Sequence, residues 1–566
     1  MNGSQALWKA LQEQGVKHSF GLTGGSVIPL FDEYFKDNCG IRHIPVRHEQ
    51  GAAHAADGYA RASGKPGVCI ATSGPGATNL VTGIMTAFMD SSPIVALGGQ
   101  VPTSLIGNDA FQESDMIGIT FPITKHNYQV RSPNRVRAIV QKAFNLASSG
   151  RPGPVYIDLP KDALAGKVEK EESLESMNGK KNQTAGFEEL KKAAELLLNA
   201  ERPVLLIGGG VILANASKEA EELALKYNIP VTTTLMGKSA FPETHPLSLG
   251  MLGMHGRKAA NYAMVNSDVV FAVGCRFNDR ITGKLQTFLQ NATLIHTDVD
   301  AAEINKNVKS QLSLRGDAKQ VLKEVLKIAE KITARKSNEW SEKMKKLAKE
   351  CECNINLSSN PIDPRKVIFE INKAIKEEDI VTTGVGQHQM FAAHFLKRTK
   401  PRTFISSGGA GTMGFGFPAA IGAKLAKPES EVLNIDGDGS FGMVVQELGT
   451  CKAESIKVTP VIFNNSYLGM VRQWIELFYE KRYSAVCLGA SPDFAKLAEA
   501  YCVKGITVER HSEIQPALQQ ALKNDETTVL NVLIAQESNI VPMFAAGTSI
   551  NEMFGDCVPK GYFNGD

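Results

Sequence analysis

Short apolar runs alternate with amphipathic stretches along most of the chain. Representative runs are VCIAT at 68–72, VVFAVG at 269–274 and TPVIFNN at 459–465. Runs of this length between segments with helical spacing are typical of strands that helices cover on both faces. The pattern therefore predicts an α/β protein built on doubly wound parallel sheets, with Gly-rich turns after the strands, where such sheets bind their ligands.

Two polar bridges interrupt this pattern, one at 165–186 and a Lys/Glu-rich one that ends at 361. At ~150 residues per domain, the 566 residues correspond to three or four domains. We therefore predict three doubly wound parallel-sheet domains over 1–165, 187–340 and 361–540, followed by a C-terminal tail over 541–566.

Composition and charge exclude several classes of partner. The 62 Lys and Arg residues nearly balance the 59 Asp and Glu residues, and the formal net charge of +3 predicts no general attraction to nucleic acid or to an acidic membrane. The apolar stretch at 204–213 is far shorter than the ~20 residues of a membrane span, and the first residues lack a signal-peptide pattern. We therefore predict a soluble, cytoplasmic protein.

The nine cysteines form no CxxC pair and no Cys/His spacing typical of zinc sites. Cys351 and Cys353 form a C-x-C in a polar stretch, which we interpret as a coincidence rather than as a metal site. An odd number of cysteines without such a pattern is typical of reduced cytosolic thiols.

The most specific local motif is Gly437-Asp438-Gly439-Ser440, which follows an apolar run. Asn465 ends the run at 459–465, 27 residues after Asp438. The two strand ends offer a carboxylate and an amide oxygen, which suit Mg²⁺, and the glycines let the backbone approach a diphosphate. Either piece alone is more typical of an ordinary turn, but the pair resembles the signature of thiamine-diphosphate enzymes.

A second motif meets a separate requirement of that cofactor, a carboxyl group beside its aminopyrimidine ring. Glu49 follows the strand-like IRHIPV at 41–46 and precedes GAAHAADGYARASG at 51–64, whose Ala and Gly residues let another backbone pack closely. In isolation, Glu49 is better explained as a first-turn residue favoured by the helix dipole. Together with the diphosphate motif, we interpret it as the carboxyl group that the cofactor needs.

Motifs along essentially the whole chain resemble the thiamine-diphosphate enzyme superfamily and, within it, the acetohydroxyacid synthase (acetolactate synthase) catalytic large subunits. The superfamily motifs are HEQGAAHAADGYARASG at 48–64, SGPGATNL at 73–80, and GDGS followed by NN. The motifs more particular to the synthases are GQVPTSLIGNDAFQE at 99–113, SGRPGPVYIDLPKD at 149–162, GMHG at 253–256, RFNDRITGK at 276–284, GVGQHQM at 384–390, GTMGFGFPAAIGA at 411–423 and GMVRQW at 469–474. Asn278 departs from this pattern, because the family usually reads RFDDR there.

The resemblance implies a thiamine-diphosphate site made by a pyrimidine-binding first domain and a diphosphate-binding third domain. It implies that Glu49 activates the cofactor, and that Gln112 projects toward the reacting carbon from the opposing subunit. The implied Mg²⁺ ligands are Asp438, Asn465 and the carbonyl of Tyr467. The implied thiamine-diphosphate contacts are Gly386, Gln387, His388, Gly411, Met413, Gly437 and Ser440, and the implied substrate contacts are Phe111, Lys161, Arg280, Met470 and Trp474. Met413 as plain core, Trp474 as a packed aromatic and Arg280 as a surface charge are the alternatives.

The resemblance also implies FAD in the central domain. Gly208-Gly209-Gly210 follows a strand, but as a dinucleotide signal this is weak because the spacing is not GxGxxG. The implied flavin contacts are Arg151, Gly208, Gly209, Leu252, Gly253, Met254, His255, Gly256, Arg276 and Asp298. Asn278 leaves open whether FAD is retained. SGPGATNL at 73–80 lacks the GK[ST] ending of a phosphate loop, so we interpret it as a structural turn beside the thiamine site.

The implied activity is condensation of the two-carbon unit of pyruvate with a second pyruvate or with 2-oxobutyrate, in the biosynthesis of the branched-chain amino acids valine and isoleucine. The implied assembly is a homodimer or tetramer, with a small regulatory subunit as a further candidate partner. A pyruvate oxidase or a 2-keto acid decarboxylase is the alternative, and a non-catalytic scaffold would be expected to lack Glu49 or a metal ligand. Acceptor preference, feedback inhibition, binding of a regulatory subunit and dimer versus tetramer remain open.

Overall fold

A computed structural model of the chain describes residues 1–172, 185–333, 338–350 and 360–555. The described residues fall into two compact units, one from 1–172, 379–389 and 405–536, the other from 185–333, 338–350, 360–378, 390–404 and 537–555. Cys351 and Cys353 lie outside the described residues, and so do much of the polar bridge at 165–186, part of the bridge that ends at 361 and the end of the tail. The domain boundaries therefore stay a prediction.

The first sheet has six parallel strands in the order β2-β1-β3-β4-β6-β5. Its strands are β1 (His18–Gly21), β2 (Arg42–Pro45), β3 (Gly67–Ala71), β4 (Ile94–Gln100), β5 (His126–Gln129) and β6 (Val155–Pro160). The helices of this segment are α1 (Gly3–Glu13), α2 (Ile28–Lys36), α3 (Glu49–Ser63), α4 (Pro75–Asn79), α5 (Val81–Asp90), α6 (Met116–Thr120), α7 (Val136–Ser148) and α8 (Lys161–Ala165). Strands β3, β4 and β6 are buried along their whole length, which explains their continuous apolar sequence.

The second sheet also has six parallel strands, in the order β12-β11-β10-β7-β8-β9, and belongs to the second unit. Its strands are β7 (Pro203–Ile207), β8 (Val231–Thr233), β9 (Ser248–Met251), β10 (Val269–Val273), β11 (Thr293–Asp298) and β12 (Leu312–Arg315). The helices are α9 (Phe187–Asn199), α10 (Gly209–Leu213), α11 (Ser217–Tyr227), α12 (Lys258–Asn266), α13 (Asp279–Thr282), α14 (Ala318–Ala329), α15 (Asn338–Glu350) and α16 (Pro364–Ala374).

The third sheet has the strand order β14-β13-β15-β16-β18-β17. The neighbouring pairs β13/β15, β15/β16, β16/β18 and β18/β17 are parallel. Its strands are β13 (Ile380–Thr383), β14 (Phe404–Ser406), β15 (Val432–Gly437), β16 (Thr459–Asn464), β17 (Lys504–Val508) and β18 (Thr528–Leu533). The helices are α17 (Gln387–Phe395), α18 (Gly416–Ala426), α19 (Asp438–Gly442), α20 (Leu448–Glu454), α21 (Gly469–Phe478), α22 (Phe494–Ala500) and α23 (Ile514–Lys523). The predicted α/β class with three doubly wound parallel sheets is confirmed.

Helices α3 and α18 pack backbone to backbone in the first unit. A Cβ on Gly58 of α3 would lie 2.1 Å from the carbonyl oxygen of Ala419, and a Cβ on Gly422 of α18 would lie 1.8 Å from that of Ala55. Both distances are far below van der Waals contact, so a side chain at either glycine requires the helices to separate. The prediction that Ala and Gly in this run let another backbone pack closely is confirmed.

The six described cysteines are free thiols, as the sequence predicts: Cys39, Cys69, Cys275, Cys451, Cys487 and Cys502. Within the described ranges, no helix combines the length and the apolar character that crossing a bilayer requires.

Candidate functional site

A cavity lies at the carboxyl end of the third sheet, where β13 and β15 are neighbours. The strand order reverses at this pair, and doubly wound sheets bind ligands at such a reversal. The lining comes mainly from three segments, 385–388 after β13, 437–440 after β15 and 463–471 at the end of β16. Ten of the predicted site residues line this one cavity: Gly386, Gln387, His388, Met413, Gly437, Asp438, Ser440, Asn465, Tyr467 and Met470.

The predicted magnesium ligands lie at the ends of neighbouring strands. Asp438 and Asn465 are only 4% and 7% exposed. Ser491 Oγ donates to Asp438 Oδ2 at 3.2 Å, and Asn465 Oδ1 accepts from the backbone N–H of Tyr467 at 3.1 Å. The intervening Ser466 has φ +60°, so the chain turns sharply between Asn465 and Tyr467.

This donor set suits a hard cation that is completed by phosphate oxygens. Mg²⁺ is usually held by one or two carboxylates together with phosphates and water. Within the described residues, no group of three or more His, Cys, Asp or Glu side chains is arranged to hold a metal ion. A site with one carboxylate, one amide oxygen and one backbone carbonyl does not need such a group.

Two buried carboxylates, Asp436 and Asp438, lie on either side of Gly437 at the end of β15. Burial raises the pKa of Asp438 to about 6 and the pKa of Asp436, which has no exposed surface, to about 7. Asp436 accepts from Asn434 Nδ2 and from the N–H of Gly437, both at 3.1 Å. Sequence reasoning missed Asp436, although a carboxylate inside a fully buried strand is itself a signal, because burying a charge is costly unless it is paired or put to use.

His388 faces the two glycines that border the cavity. A Cβ on Gly437 would lie 2.7 Å from its Nδ1, and a Cβ on Gly386 would lie 2.9 Å from its Cε1. Burial lowers the pKa of His388 to about 3, so its ring is neutral. Its Nε2 lies 3.6 Å from Asp436 Oδ1 and has no hydrogen-bond partner among the described residues. A buried ring nitrogen without a hydrogen bond among the described residues is compatible with a bound ligand or water as its partner.

Gly469 leaves room for the side chains of Gln387 and of the predicted metal ligand Asn465. A Cβ there would lie 2.4 Å from Gln387 Oε1 and 3.0 Å from Asn465 Nδ2. Gln387 Nε2 donates to Gln473 Oε1 at 2.8 Å, which ties the segment after β13 to helix α21. This hydrogen bond therefore links the predicted contact Gln387 to the helix that carries Met470 and Trp474.

The two predicted catalytic residues lie beside the SGPG turn at 73–76. Glu49 is the first residue of α3 and 9% exposed, and its Oε2 accepts from Asn79 Nδ2 at 2.9 Å. A Cβ on Gly74, whose φ is +61°, would lie 2.8 Å from the carbonyl oxygen of Gln112. The structure thus brings Glu49 and Gln112 to one turn. Neither is among the described residues that line the cavity of the third sheet.

Glu447 is a candidate positioning residue that sequence reasoning missed. Its carboxyl group is completely buried, and Oε1 accepts from the backbone N–H groups of Arg47 and His48, each at 3.1 Å. Thr450 Oγ1 donates to Oε2 at 2.6 Å, and burial raises the pKa of this carboxyl group. The two N–H groups directly precede Glu49, so Glu447 fixes the start of α3. No motif marks this role, because the contact joins segments about 400 residues apart.

Trp474 and Gly411 lie close to the cavity without lining it. Trp474 is on α21, four residues after Met470, and its ring packs on Phe478 with the ring centroids 5.3 Å apart. Gly411 has φ +62°, and a Cβ there would lie 3.9 Å from Val385 Cγ1, a lining residue. Trp474 therefore follows a lining residue by about one helical turn.

Three further predicted residues of the first unit are absent from the described lining of the cavity. Phe111 is 88% exposed, and Lys161 is an exposed residue that begins α8. Arg151, predicted as a flavin contact, donates through Nε to Ser91 Oγ at 2.8 Å.

The predicted glycine cradle for FAD lies at the carboxyl edge of the second sheet. Strands β7 and β10 pair up to Ile207 and Val273, so Gly208 and Gly274 leave the sheet side by side. A Cβ on Gly208 would lie 2.0 Å from the carbonyl oxygen of Gly274, and one on Gly209 would lie 3.0 Å from Met236 Cβ. Close packing within the chain therefore explains these two glycines without a ligand.

The predicted flavin segment 252–256 packs against Arg280. The Met254 N–H donates to the Arg280 carbonyl at 2.7 Å, and Arg280 Nη1 lies 3.2 Å from Met254 Sδ. A Cβ on Gly253 would lie 2.3 Å from the same carbonyl oxygen. Leu252 donates its N–H to the Thr233 carbonyl at 2.9 Å, and Gly256 donates to the Gly253 carbonyl at 2.7 Å.

Several polar atoms near this edge are buried without a hydrogen-bond partner among the described residues. They are His255 Nε2, Asn278 Oδ1, His296 Nδ1 and Thr297 Oγ1. Asp298 ends β11, and its Oδ1 accepts from the Asp300 N–H at 2.8 Å; Arg276 follows β10. Burial lowers the pKa of His255 to about 4, so that ring is neutral. Such a group of unsatisfied atoms is compatible with a polar ligand at the edge of the second sheet.

Three family models match the chain. Residues 1–119 match "Thiamine pyrophosphate enzyme, N-terminal TPP binding domain", residues 190–325 match "Thiamine pyrophosphate enzyme, central domain", and residues 384–532 match "Thiamine pyrophosphate enzyme, C-terminal TPP binding domain". The third match contains the cavity segments after β13, β15 and β16.

Curated relatives match nearly the full chain. A probable acetolactate synthase large subunit of Methanocaldococcus jannaschii is 49% identical over 558 residues, covering 97% of this chain and 94% of that protein. The acetolactate synthase large subunit of Buchnera aphidicola subsp. Schizaphis graminum is 46% identical and covers 98% of both chains. An acetolactate synthase of Mycobacterium bovis is 45% identical, covering 98% of this chain and 91% of that protein.

Proposed function

Because this chain belongs to the acetolactate synthase large subunits of the thiamine pyrophosphate enzymes, we propose that it joins the two-carbon unit of decarboxylated pyruvate to a second 2-keto acid. Pyruvate as acceptor gives 2-acetolactate, and 2-oxobutyrate gives 2-aceto-2-hydroxybutyrate, for valine and isoleucine biosynthesis in the cytoplasm. The observation that carries the proposal is the cavity that gathers Asp438, Asn465 and His388 at one sheet edge.

Thiamine diphosphate, when bound, supplies the electron sink for decarboxylation and carbon–carbon bond formation. Asp438, Asn465 and the Tyr467 carbonyl would hold Mg²⁺, with Gly386, Gln387 and His388 around the diphosphate. The buried carboxylate and amide oxygen on adjacent strand ends support this assignment, as does His388 Nε2, which has no hydrogen-bond partner in the described part of the chain. Gly411 and Met413 would lie against the pyrimidine, since Met413 lines the same cavity.

Glu49 would share a proton with the pyrimidine nitrogen of thiamine diphosphate, and its position bears on how many chains form the site. The carboxyl group must lie at the same cofactor as Asp438, yet Glu49 is not among the described lining residues. We therefore propose that a second copy of the chain brings its Glu49 and Gln112 to this cavity, so that a homodimer is the smallest active unit. A tetramer of such dimers and a separate small regulatory subunit belong to the same proposal.

Substrate contacts are proposed for five residues. Arg280 offers an exposed guanidinium that would pair with a keto-acid carboxylate, and Lys161 and Phe111 are exposed as well. Met470 lines the cavity, and Trp474 follows it on α21 by about one turn. These two apolar side chains would limit the access of water, so that bond formation is favoured over protonation.

FAD is proposed for the carboxyl edge of the second sheet. Arg276, Asp298, Gly208, Gly209 and the segment 252–256 would hold it, with Arg151 as a further contact. The buried atoms that have no hydrogen-bond partner within the described ranges, among them His255 Nε2 and Asn278 Oδ1, support a polar ligand at this edge. Visible absorption of the purified protein at flavin wavelengths tests this part separately from activity.

The central experiment is an assay of the purified chain with pyruvate, thiamine diphosphate, Mg²⁺ and FAD. Acetolactate is expected as the main product. Acetaldehyde as the main product would indicate a decarboxylase instead, and acetate with peroxide would indicate a pyruvate oxidase.

The Glu49→Gln variant tests the chemistry within that assay. The amide keeps the size of the side chain but cannot hold the proton, so we expect loss of most turnover with diphosphate binding retained. Glu13→Gln is the matched control, because Glu13 is a half-exposed carboxylate paired with Arg137 at 2.7 Å. Equal rates for Glu49→Gln and the wild type at saturating cofactor would contradict the role of Glu49.

A further inference from the structure

A buried cluster of three charges lies in the first unit, apart from the described lining of the cavity. Arg61 of α3 donates through Nε to Asp57 Oδ1 at 2.6 Å and through Nη2 to Asp90 Oδ2 at 3.0 Å. The side chains of Asp57 and Asp90 have no exposed surface, and that of Arg61 is 10% exposed. Two carboxylates share one guanidinium, so Asp90 needs further donors to offset its buried charge.

Those donors come from the loop that follows β14. The N–H of Gly408 donates to Asp90 Oδ2 at 3.0 Å, and the N–H of Gly409 donates to Asp90 Oδ1 at 2.7 Å. Arg61 Nη1 donates to the carbonyl of Ser406 at 2.7 Å. A Cβ on Gly409 would lie 2.9 Å from Asp90 Oδ1, so glycine allows the loop to seat on this carboxylate.

The same loop reaches the cavity a few residues later. Met413 lines the cavity, and the N–H of Gly414 donates to the Oγ of Ser440, another lining residue, at 3.0 Å. Between the two ends, Thr412 Oγ1 lies 2.7 Å from Thr86 Oγ1 of α5. The loop 406–414 is therefore fixed by α3 and α5 at one end and by the diphosphate motif at the other.

We propose that Asp90 is a positioning residue for thiamine diphosphate, acting through the loop 406–414. Its carboxylate binds two successive backbone N–H groups and thereby fixes where the loop places Gly411 and Met413. Charged hydrogen bonds are about twice as strong as neutral ones, and their fixed geometry lets the loop meet the ligand already ordered. The proposal rests on the proposed function, because it takes the pyrimidine of thiamine diphosphate as the group that the loop contacts.

The test compares Asp90→Asn with Asp57→Asn. The amide introduced by Asp90→Asn has only one acceptor oxygen, so its NH₂ group faces at least one of the three N–H donors that Asp90 binds, and the loop is held less tightly. Asp57→Asn also removes a carboxylate from Arg61, but Asp57 makes no described hydrogen bond to the loop. We expect the dissociation constant of thiamine diphosphate, measured by calorimetry with Mg²⁺, to rise at least tenfold for Asp90→Asn and less than threefold for Asp57→Asn.

A second readout follows the loop itself. Amide hydrogen exchange at Gly408 and Gly409, measured without cofactor, should be at least tenfold faster in Asp90→Asn than in Asp57→Asn. If Asp90→Asn does not fold, Asp90→Glu keeps the charge but moves the carboxylate by one methylene, and a rise of at least fivefold in the dissociation constant is expected.

Equal losses of affinity in the two Asn variants would overturn the proposal, since a merely structural charge cluster predicts that result. Wild-type affinity in a folded Asp90→Asn or Asp90→Glu protein would overturn it too. If the wild type itself does not bind thiamine diphosphate, the proposed function is overturned and the role of Asp90 with it. Binding by the wild type without a selective effect of Asp90 overturns the role of Asp90 alone.

Discussion

Replacing Asp158 by asparagine should change how the stability of the first unit depends on pH. Asp158 lies near the end of β6 with no exposed surface, and it accepts from Gln129 Nε2 at 2.8 Å and from Gln100 Nε2 at 3.5 Å. Gln100 also donates to the Ser114 carbonyl at 2.8 Å, at the end of the segment that carries Phe111 and Gln112. A change at Asp158 therefore acts on the segment that bears two of the proposed site residues.

The magnitude follows from the displaced titration. Burial raises the pKa of Asp158 from 3.8 to about 6, and this change corresponds to about 3 kcal/mol of stability. Below pH ~4 both the folded and the unfolded chain hold the proton. Between about pH 4 and pH 6 the unfolded chain has lost the proton of Asp158, whereas the folded chain still holds it. Above about pH 6 the folded chain loses this proton too, and a negative charge is left on the buried carboxylate. The stabilisation is thus present in acid and absent above about pH 6.

The amide introduced by Asp158→Asn stays neutral at every pH, so the variant does not lose this stability as the pH rises. Calorimetric melting of the full chain at pH 4 and at pH 8 measures the difference. At roughly 2–4 °C per kcal/mol for a domain of this size, the melting temperature of the variant relative to the wild type should rise by roughly 6–12 °C between the two pH values.

Asp32→Asn is the control, because Asp32 is a mostly exposed carboxylate on α2 that pairs with Lys36. It should shift the melting temperature by no more than about 4 °C, and by the same amount at both pH values, since exposed pairs contribute ~0–1 kcal/mol. The same offset for Asp158→Asn at pH 4 and pH 8 would refute the reasoning, because it would mean that Asp158 titrates alike in the folded and unfolded chain.

Three further predictions concern the site and its support. Asp438→Ala should weaken Mg²⁺ and thiamine diphosphate together in calorimetric titrations, since the ion and the phosphates share the lost oxygen ligand; unchanged affinities would remove Asp438 from the site. Gly422→Ala should destabilise the first unit by about 3 kcal/mol or more, because its Cβ meets the backbone at 1.8 Å, whereas Gly442→Ala, with open space around its Cβ, should leave the melting temperature nearly unchanged. Trp474→Leu should keep acetolactate formation but lower the preference for 2-oxobutyrate over pyruvate as acceptor, because the two acceptors differ by one methylene worth ~1–3 kcal/mol. The product ratio is measured with both acceptors competing for one pyruvate donor, and an unchanged ratio would exclude Trp474 from the acceptor pocket.

The strands could be predicted from the sequence because helices bury them on both faces. β15 and β16 are buried along their whole length, and their apolar runs end at the chemistry-bearing residues Asp438 and Asn465. Since parallel strands end at the same edge of a sheet, strand order and sequence together place these residues at one cavity.

The supporting contacts could not be predicted in this way. Glu447 and Asp90 act through backbone N–H groups of Arg47, His48, Gly408 and Gly409, which lie about 400 and 320 residues away in the sequence. Every residue except proline has a backbone N–H, so the residue types at these positions do not indicate which carboxylate binds them. At Gly208 and Gly209 the sequence has a motif, but the motif has two explanations. Glycines typical of a ligand cradle are also what close packing against Gly274 and Met236 requires.

The backbone contact between α3 and α18 restricts how this chain can be recombined with its relatives. The probable synthase of Methanocaldococcus jannaschii differs from it at about half of the aligned positions, and a chimera with a crossover in the central segment would take Gly58 of α3 and Gly422 of α18 from different parents. Any parent with a larger side chain at one glycine would meet a partner helix that has not changed with it. Residues 49–63 and 416–426 should therefore come from the same parent in a recombination library.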